Sequence, residues 1–230
     1  MALKAIVSYD DTTNDHDALA LGRVLAEAGA DLILAYVRHS TQTERSREQL
    51  EEHEAEALLE HGAKLLGDVD VERRVVVSPS TPEGLRWLAE EEGADVIVFG
   101  SDYRTPAGHI SPQHSTQSLL EGGPAAIAIA PASYRELDPI KIRTIGLLAT
   151  PGDDAAIDTA RELAERFDAT ITRDERRFDL LVVGSRMEAP DGRVMISAQA
   201  ERAIDDATAP VLIVGRGVTL QFAVPVGAAS

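Results

Sequence analysis

The chain has 230 residues, 44% hydrophobic, 27% charged and only 4% aromatic, which suits one large or two modest globular units with a core of Ala, Val, Leu and Ile. A formal net charge of −17 argues against a nucleic-acid partner, because binding phosphates needs clustered Lys and Arg. With no cysteine in the sequence, disulfides, thiolate metal sites and thiol nucleophiles are excluded.

Met1-Ala2-Leu3-Lys4 runs straight into an apolar stretch with no signal-peptide pattern. No apolar run approaches the roughly 18–20 residues that cross a bilayer. A cytoplasmic protein without a membrane partner is the expectation.

The first apolar run, Ala5 to Tyr9, stops at Asp10-Asp11-Thr12-Thr13-Asn14, a polar turn rich in helix-capping types. A helical pattern over Asp15–Ala28 places Leu19, Leu21, Val24 and Leu25 toward a core, with Gly29 as its C-cap. A strand follows at Leu32–Val37. The charged segment Glu44–Leu66 carries Leu50, Ala57, Leu58, Leu65 and Leu66 on one side and reads as a long amphipathic helix. Val71–Val77 is the next strand, and Thr81-Pro82-Glu83 opens a helix that carries Leu85, Trp87 and Leu88 and ends at Gly93. Asp95–Phe99 then enters Gly100-Ser101, and a helix at Gln113–Glu121 leads to a closing strand at Ala125–Ala130. Alternation of strand and helix predicts a mainly parallel sheet covered on both faces.

Beyond a linker at Pro131–Pro139 the pattern restarts. Arg143–Leu148 matches the first strand, Ala155–Phe167 the first helix, Asp179–Ser185 the run Asp95–Ser101, and Ala209–Val214 the closing strand. Lys4 to Gly100 spans 96 positions, whereas Arg143 to Gly184 spans 41; the difference of 55 matches the block from Ser40 to Ala94. After the Gly-Ser pair the halves stay in step, since Gly100 to Pro131 and Gly184 to Gly215 are both 31 apart. A duplicated unit whose second copy lacks the long charged helix, the third strand and the Trp87 helix is the expectation. An undivided sheet, or leading and closing strands that fail to correspond, would count against it. The tail Val218–Val224 alternates as a strand does and reads as an added edge strand or an arm.

Four features in order resemble the universal stress protein family: the strand end Val7-Ser8-Tyr9-Asp10 with its capped helix, the Thr81-Pro82-Glu83 helix start, the strand Asp95–Phe99 entering Gly100-Ser101, and the closing strand Ile127-Ala128-Ile129-Ala130. The resemblance covers Ala2–Pro131 and, shortened, Ile142–Gly215. It implies an adenine nucleotide alpha hydrolase-like α/β fold, with a parallel five-stranded sheet in the order 3-2-1-4-5, and pairing of domains through the last strand. The corresponding organisation is a complete domain at 1–133, a linker at 134–139, a truncated domain at 140–217 and a tail at 218–230.

Many members bind ATP. The resemblance places the adenine against Asp10 and the backbone at Val37, and the phosphates on a Gly-x2-Gly-x9-Gly-Ser/Thr loop beginning at Gly100. The physical basis of such a loop is close backbone approach and amide groups at a helix start. This sequence departs from the pattern: Tyr103 stands at the second glycine and Gln113-His114 at the last pair, with Ser115 one place late. In the second copy Met187 and Ser197-Ala198 hold the equivalent positions, and Leu148 or Ala149 stands where Asp10 stands in the first. The second nucleotide site is expected to be lost, and Tyr103 is expected to crowd the first.

All six histidines lie in the first half. His53 and His61 read as solvated surface of the charged helix, while His109 and His114 fall in the atypical loop and lack an evident third metal ligand. Asp10, Asp11, Asp15 and Asp17 suit a hard cation, but helix capping and the helix dipole explain the same residues, so no metal is expected. No phosphate-loop lysine motif and no nucleophile elbow is present. The resulting expectation is a non-catalytic stress-response tandem imitating a dimer, with an atypical nucleotide or small-ligand crevice at Asp10, Val37 and Gly100, and with a protein partner or a homo-oligomeric state. The competing readings are a ligand-independent scaffold, an ATP-binding protein with a divergent phosphate loop, and, third, an enzyme of the wider adenine-nucleotide-fold superfamily.

Overall fold

A computed structural model describes residues 3–39, 45–149, 154–173 and 177–223, with side chains 45–51 outside the description. The first half runs β1 (Leu3–Ser8), α1 (Thr13–Ala28), β2 (Ala30–His39), α2 (Arg45–Leu66), β3 (Val71–Ser78), α3 (Thr81–Glu92), β4 (Val96–Gly100), α4 (His114–Leu120), β5 (Glu121–Gly123) and β6 (Ala126–Ala130). The second half runs β7 (Thr144–Leu148), α5 (Asp154–Phe167), β8 (Thr170–Thr172), β9 (Leu180–Gly184), β10 (Val194–Met195), α6 (Ala198–Asp205) and β11 (Val211–Val214).

Among the described residues nine strands share one sheet, in the order β3-β2-β1-β4-β6-β11-β9-β7-β8. Within each half the neighbours are parallel, as βαβ crossovers require. The direction reverses once, where β6 meets β11 antiparallel with Ala128 opposite Leu212. The sheet is therefore continuous in hydrogen bonding yet divided at this seam. Outward from it, β6-β4-β1-β2-β3 on one side faces β11-β9-β7-β8 on the other, so among the described residues β3 alone has no counterpart. A short ribbon of β5 and β10 also joins the halves.

Strands buried on both faces explain the unbroken apolar runs. In β1, Ala5 and Val7 point to one layer and Ile6 to the other, as the period of two dictates. The first layer is packed by Leu21 and Leu25 of α1, Leu59 of α2 and Leu163 of α5. The second is packed by Leu85 and Leu88 of α3, Leu119 of α4 and Ile204 of α6. Both apolar layers run through the seam, with Ala128 and Leu212 in one and Ile127 and Ile213 in the other.

Three sequence expectations shift. The counterpart of Lys4 is Thr144 rather than Arg143, because Asp95 N–H donates to Lys4 C=O at 2.9 Å and Asp179 N–H donates to Thr144 C=O at 2.8 Å. Lys4 and Arg143 share a basic side chain but not a register position, as the ladder shows by pairing Ala5 with Val96 and Ile145 with Leu180. The counterpart of Asp10 thereby becomes Thr150, which lies outside the described residues, as do Glu44, the Leu50 side chain and Val224. The stretch taken as a linker contains a 3-10 turn at Tyr134–Glu136 with Tyr134 buried. Finally, Val218–Ala223 forms no strand: Leu220 and Phe222 are buried and Leu220 N–H reaches the buried Thr159 hydroxyl at 3.0 Å, so this part of the tail is an arm laid over α5.

Candidate ligand crevice

The site begins with the cap of α1. Thr12 adopts extended backbone and accepts from Asp15 N–H, while the Asp15 carboxylate accepts from Thr12 N–H at 3.0 Å and from the Thr12 hydroxyl at 2.7 Å. The same oxygen accepts Asp10 N–H at 3.0 Å. Asp15 is thus spent on the turn, and burial raises its carboxyl above the usual range. Asp17 is spent elsewhere: fully buried, it accepts from Ser133 N–H, Arg135 N–H and the Arg135 guanidinium at 2.9–3.0 Å. Asp15 and Asp17 therefore serve as cap and anchor, and the four carboxylates do not converge on one cation cage.

With the turn fixed, Asp10 and Val37 line the same cavity, about 440 Å³, together with His39, Ala55, Leu58 and Thr81. The last contact between β1 and β2 is Tyr9 N–H to Ala35 C=O at 2.9 Å, and β2 runs on to His39. By the alternation of a parallel ladder, Val37 is the next residue to turn its main-chain groups to the side β1 has vacated. His39 Nε2 lies 3.1 Å from the Thr81 hydroxyl and bridges β2 to α3. Burial, together with the nearby Asp15, raises the Asp10 carboxyl, and His39 opposes the shift. The crevice so presents the Asp10 carboxylate, with Glu54 also on its wall, beside one strand edge.

Gly100 does not line this cavity. A Cβ there would overlap the Asn14 carbonyl in the first turn of α1, so close packing of helix on strand explains this glycine. The loop after it is closed upon itself. Buried Asn14 donates its amide to Ser101 C=O at 2.5 Å, Gln113 donates to the same carbonyl at 3.2 Å, and the Ser101 hydroxyl donates to Ala130 C=O at 2.8 Å. Tyr103 does not crowd this interior; the residue is 70% exposed, with the Arg104 guanidinium over its ring. His109 and His114 are both exposed. The amides of Asn14 and Gln113 carried no sequence signal for this role, since their common partner is 87 positions from the first.

On the other side of the turn, the Tyr9 hydroxyl donates to Asp11 Oδ1 at 2.7 Å, and His16 Nε2 lies 3.1 Å from the same oxygen. His61 of α2 brings its Nε2 to 3.8 Å. His61 is solvated, as expected, but it is also part of this group. The Tyr9 hydroxyl and the two imidazoles hold the Asp11 carboxyl below the usual carboxylate range, while burial and the Asp11 charge raise the Tyr9 phenol.

The model of the Universal stress protein family matches residues 1–121. The chain belongs to the universal stress protein family. Among curated proteins none matches. Solved structures extend the likeness over both halves. A universal stress protein from Archaeoglobus fulgidus DSM 4304 superposes with a TM-score of 0.70 at 14% identity, covering 93% of this chain and 98% of its own. A functionally unknown protein from Pseudomonas aeruginosa PAO1 gives 0.62 at 14% identity, covering 94% and 93%. A putative universal stress protein from Pseudomonas aeruginosa UCBPP-PA14 gives 0.59 at 15% identity, covering 93% of each chain. At these identities the likeness concerns the fold. Among the described residues no helix is long and apolar enough to cross a membrane.

Proposed function

We propose that this universal stress protein is a non-catalytic, ligand-sensing tandem in which residues 140–217 act as a shortened partner for the complete domain at 1–133. The antiparallel seam of β6 and β11, with mirrored strand order on either side, supports the pseudo-dimer.

The ligand reading rests on one observation: Asp10 and the free edge of β2 at Val37 face a common cavity of about 440 Å³. A carboxylate acceptor beside main-chain N–H and C=O groups suits the hydrogen-bonding edge of a heterocyclic base, while Ala55 and Leu58 supply apolar surface for its face. The Gly100 loop spends the N–H groups of Asp102, Arg104, Thr105, Gly108, His109 and Ser111 on its own acceptors, which leaves it few donors for phosphates. The occupant is therefore a nucleoside-like ligand bound by its base, with phosphates contributing little. His39 and Thr81 form the wall of the crevice by bridging β2 and α3, a structural use of the one hydroxyl–imidazole pair that faces it.

Calorimetric titration with adenosine, AMP and ATP tests this. Adenosine and ATP are expected to bind within about tenfold of each other, and Asp10→Ala to weaken both by about 1–3 kcal/mol, the cost of an unpaired polar edge. ATP binding more than about 100-fold tighter than adenosine, some 2.7 kcal/mol, would restore a functional phosphate loop. Binding of none of the three, with no small molecule released on denaturing the purified protein, would leave the ligand-independent scaffold.

A further inference from the structure

Three side chains outside the base crevice converge on one point. Asp11 lies in the β1–α1 turn, His16 one turn into α1, and His61 in the last third of α2, and their nearest carboxylate and imidazole atoms all lie within 4.8 Å of one another. We propose that Asp11, His16 and His61 form a binding site for a divalent transition-metal ion of the zinc type, clipping α2 to the β1–α1 turn.

The donor set selects the class of ion. Two imidazoles and one carboxylate suit zinc and its borderline neighbours, whereas magnesium and calcium prefer all-oxygen sets. The spacing also fits. Two ligands each about 2.0 Å from a tetrahedral ion stand about 3.3 Å apart, and Asp11 Oδ1 lies 3.1 Å from His16 Nε2 and 3.8 Å from His61 Nε2. The fourth position is left to water, as in open three-ligand zinc sites.

The surroundings orient the ligands. The Tyr9 hydroxyl donates to Asp11 Oδ1 at 2.7 Å, the outer-shell contact that typically fixes a ligating carboxylate. The Tyr9 ring also stacks against His16, with centroids 6.1 Å apart at 18°. Gly62 explains the approach of α2. A Cβ there would stand 2.7 Å from the Tyr9 ring, so a side chain at this position would push the helix, and His61 with it, away from the turn. Glycine inside a helix costs about 1 kcal/mol relative to alanine, and here it permits the contact. Side-chain exposures of 43%, 31% and 53% for Asp11, His16 and His61 leave an open entry path. His53, on the same helix, lies outside the group.

The test uses tag-free, chelator-treated full-length protein titrated with zinc chloride at about pH 7.5, above the ordinary histidine range. One zinc per chain is expected, with a rise in Tm that follows zinc concentration. His16→Gln and His61→Gln should each weaken binding more than about 100-fold, beyond the 10–100-fold typical of an outer-shell loss, and abolish the rise in Tm. Without zinc both variants should keep the wild-type Tm within a few degrees, because their side chains are partly exposed. His53→Gln should bind as the wild type does. Cobalt in place of zinc should give the visible bands of a tetrahedral ion. The proposal is overturned if the wild type binds no zinc, if either variant loses less than about tenfold, or if millimolar magnesium displaces the metal. None of these readouts depends on a nucleoside, so the site stands or falls separately from the base crevice.

Discussion

Ser101 and Ser185 stand 84 positions apart and make the same contacts: each donates its hydroxyl to a carbonyl 29 residues further on, Ala130 at 2.8 Å and Val214 at 2.7 Å. Each also accepts a main-chain N–H ten residues on, from Ser111 and from Met195. Main-chain bonds repeat at the same offset, Asp102 to Ser111 as Arg186 to Met195, and Gly108 to Ala132 as Gly192 to Arg216. Two loops with little sequence in common are therefore folded by one network. Its inner members are main-chain groups and a buried serine, leaving the other side chains free to vary.

Ser101→Ala and Ser185→Ala should each cost about 1–3 kcal/mol, the penalty for leaving a buried carbonyl without its donor. Urea unfolding of the two variants is expected to give losses of similar size. A large loss at one position with none at the other would show that the two networks do not carry equal weight.

Gly100→Ala should destabilise the protein by about 1–3 kcal/mol or more, because the added methyl overlaps main chain rather than a movable side chain. The obstructing atom is the Asn14 carbonyl, so Asn14→Ala in the same chain cannot relieve the overlap. The double variant should be at least as unstable as Gly100→Ala alone. Adenosine binding to the folded fraction should be unchanged, since Gly100 lies outside the cavity of Asp10 and Val37.

The strands that carry both layers were legible because burial on two faces leaves an unbroken apolar run, as in Val96–Phe99 and Leu180–Val183. The elements that sequence reasoning missed have no such run. β8 is three residues, Thr-Ile-Thr, all at least partly exposed. α6 buries only Ala200 and Ile204, and β5 and β10 are three- and two-residue pieces that exist by pairing with each other. The site divides in the same way. Asp10 and Val37 were implied by the family resemblance, carried onto the ends of strands that the apolar runs locate. The Asn14 amide plug depends on packing between α1 and the end of β4, and the position of His61 depends on Gly62 meeting Tyr9. Neither leaves a local pattern.

Asp17 ties α1 to the turn that follows β6. It is fully buried and serves two main-chain donors and the Arg135 guanidinium. Asp17→Ala should cost about 3–5 kcal/mol, because it strands the partners of a buried ion pair. Asp17→Asn retains one acceptor oxygen and should cost less. Arg135→Ala should cost less than Asp17→Ala but remain clearly destabilising, since the buried Asp17 carboxylate keeps both main-chain donors yet loses its counter-charge. Chemical denaturation of the three variants checks this order.

Glu92, at the end of α3, accepts from the Arg74 guanidinium at 2.9 Å and from the Lys4 ammonium at 3.3 Å, joining α3 to β3 and β1. The hydrogen bond from Arg74 is the largest of the influences that hold its carboxyl below the ordinary glutamate range. A depressed folded-state pKa means that the unfolded chain takes up the proton first as acid is added. The Glu92 contribution is therefore complete above the unfolded pKa of about 4.3 and disappears as pH falls through the lower folded value. Glu92→Gln should lower the Tm at pH 7, and its deficit relative to the wild type should shrink steadily below about pH 4.5. High salt should shrink the same deficit at pH 7, because the pairs are partly exposed. A deficit that stays constant with pH would assign the loss to helix-end packing instead of to the charge.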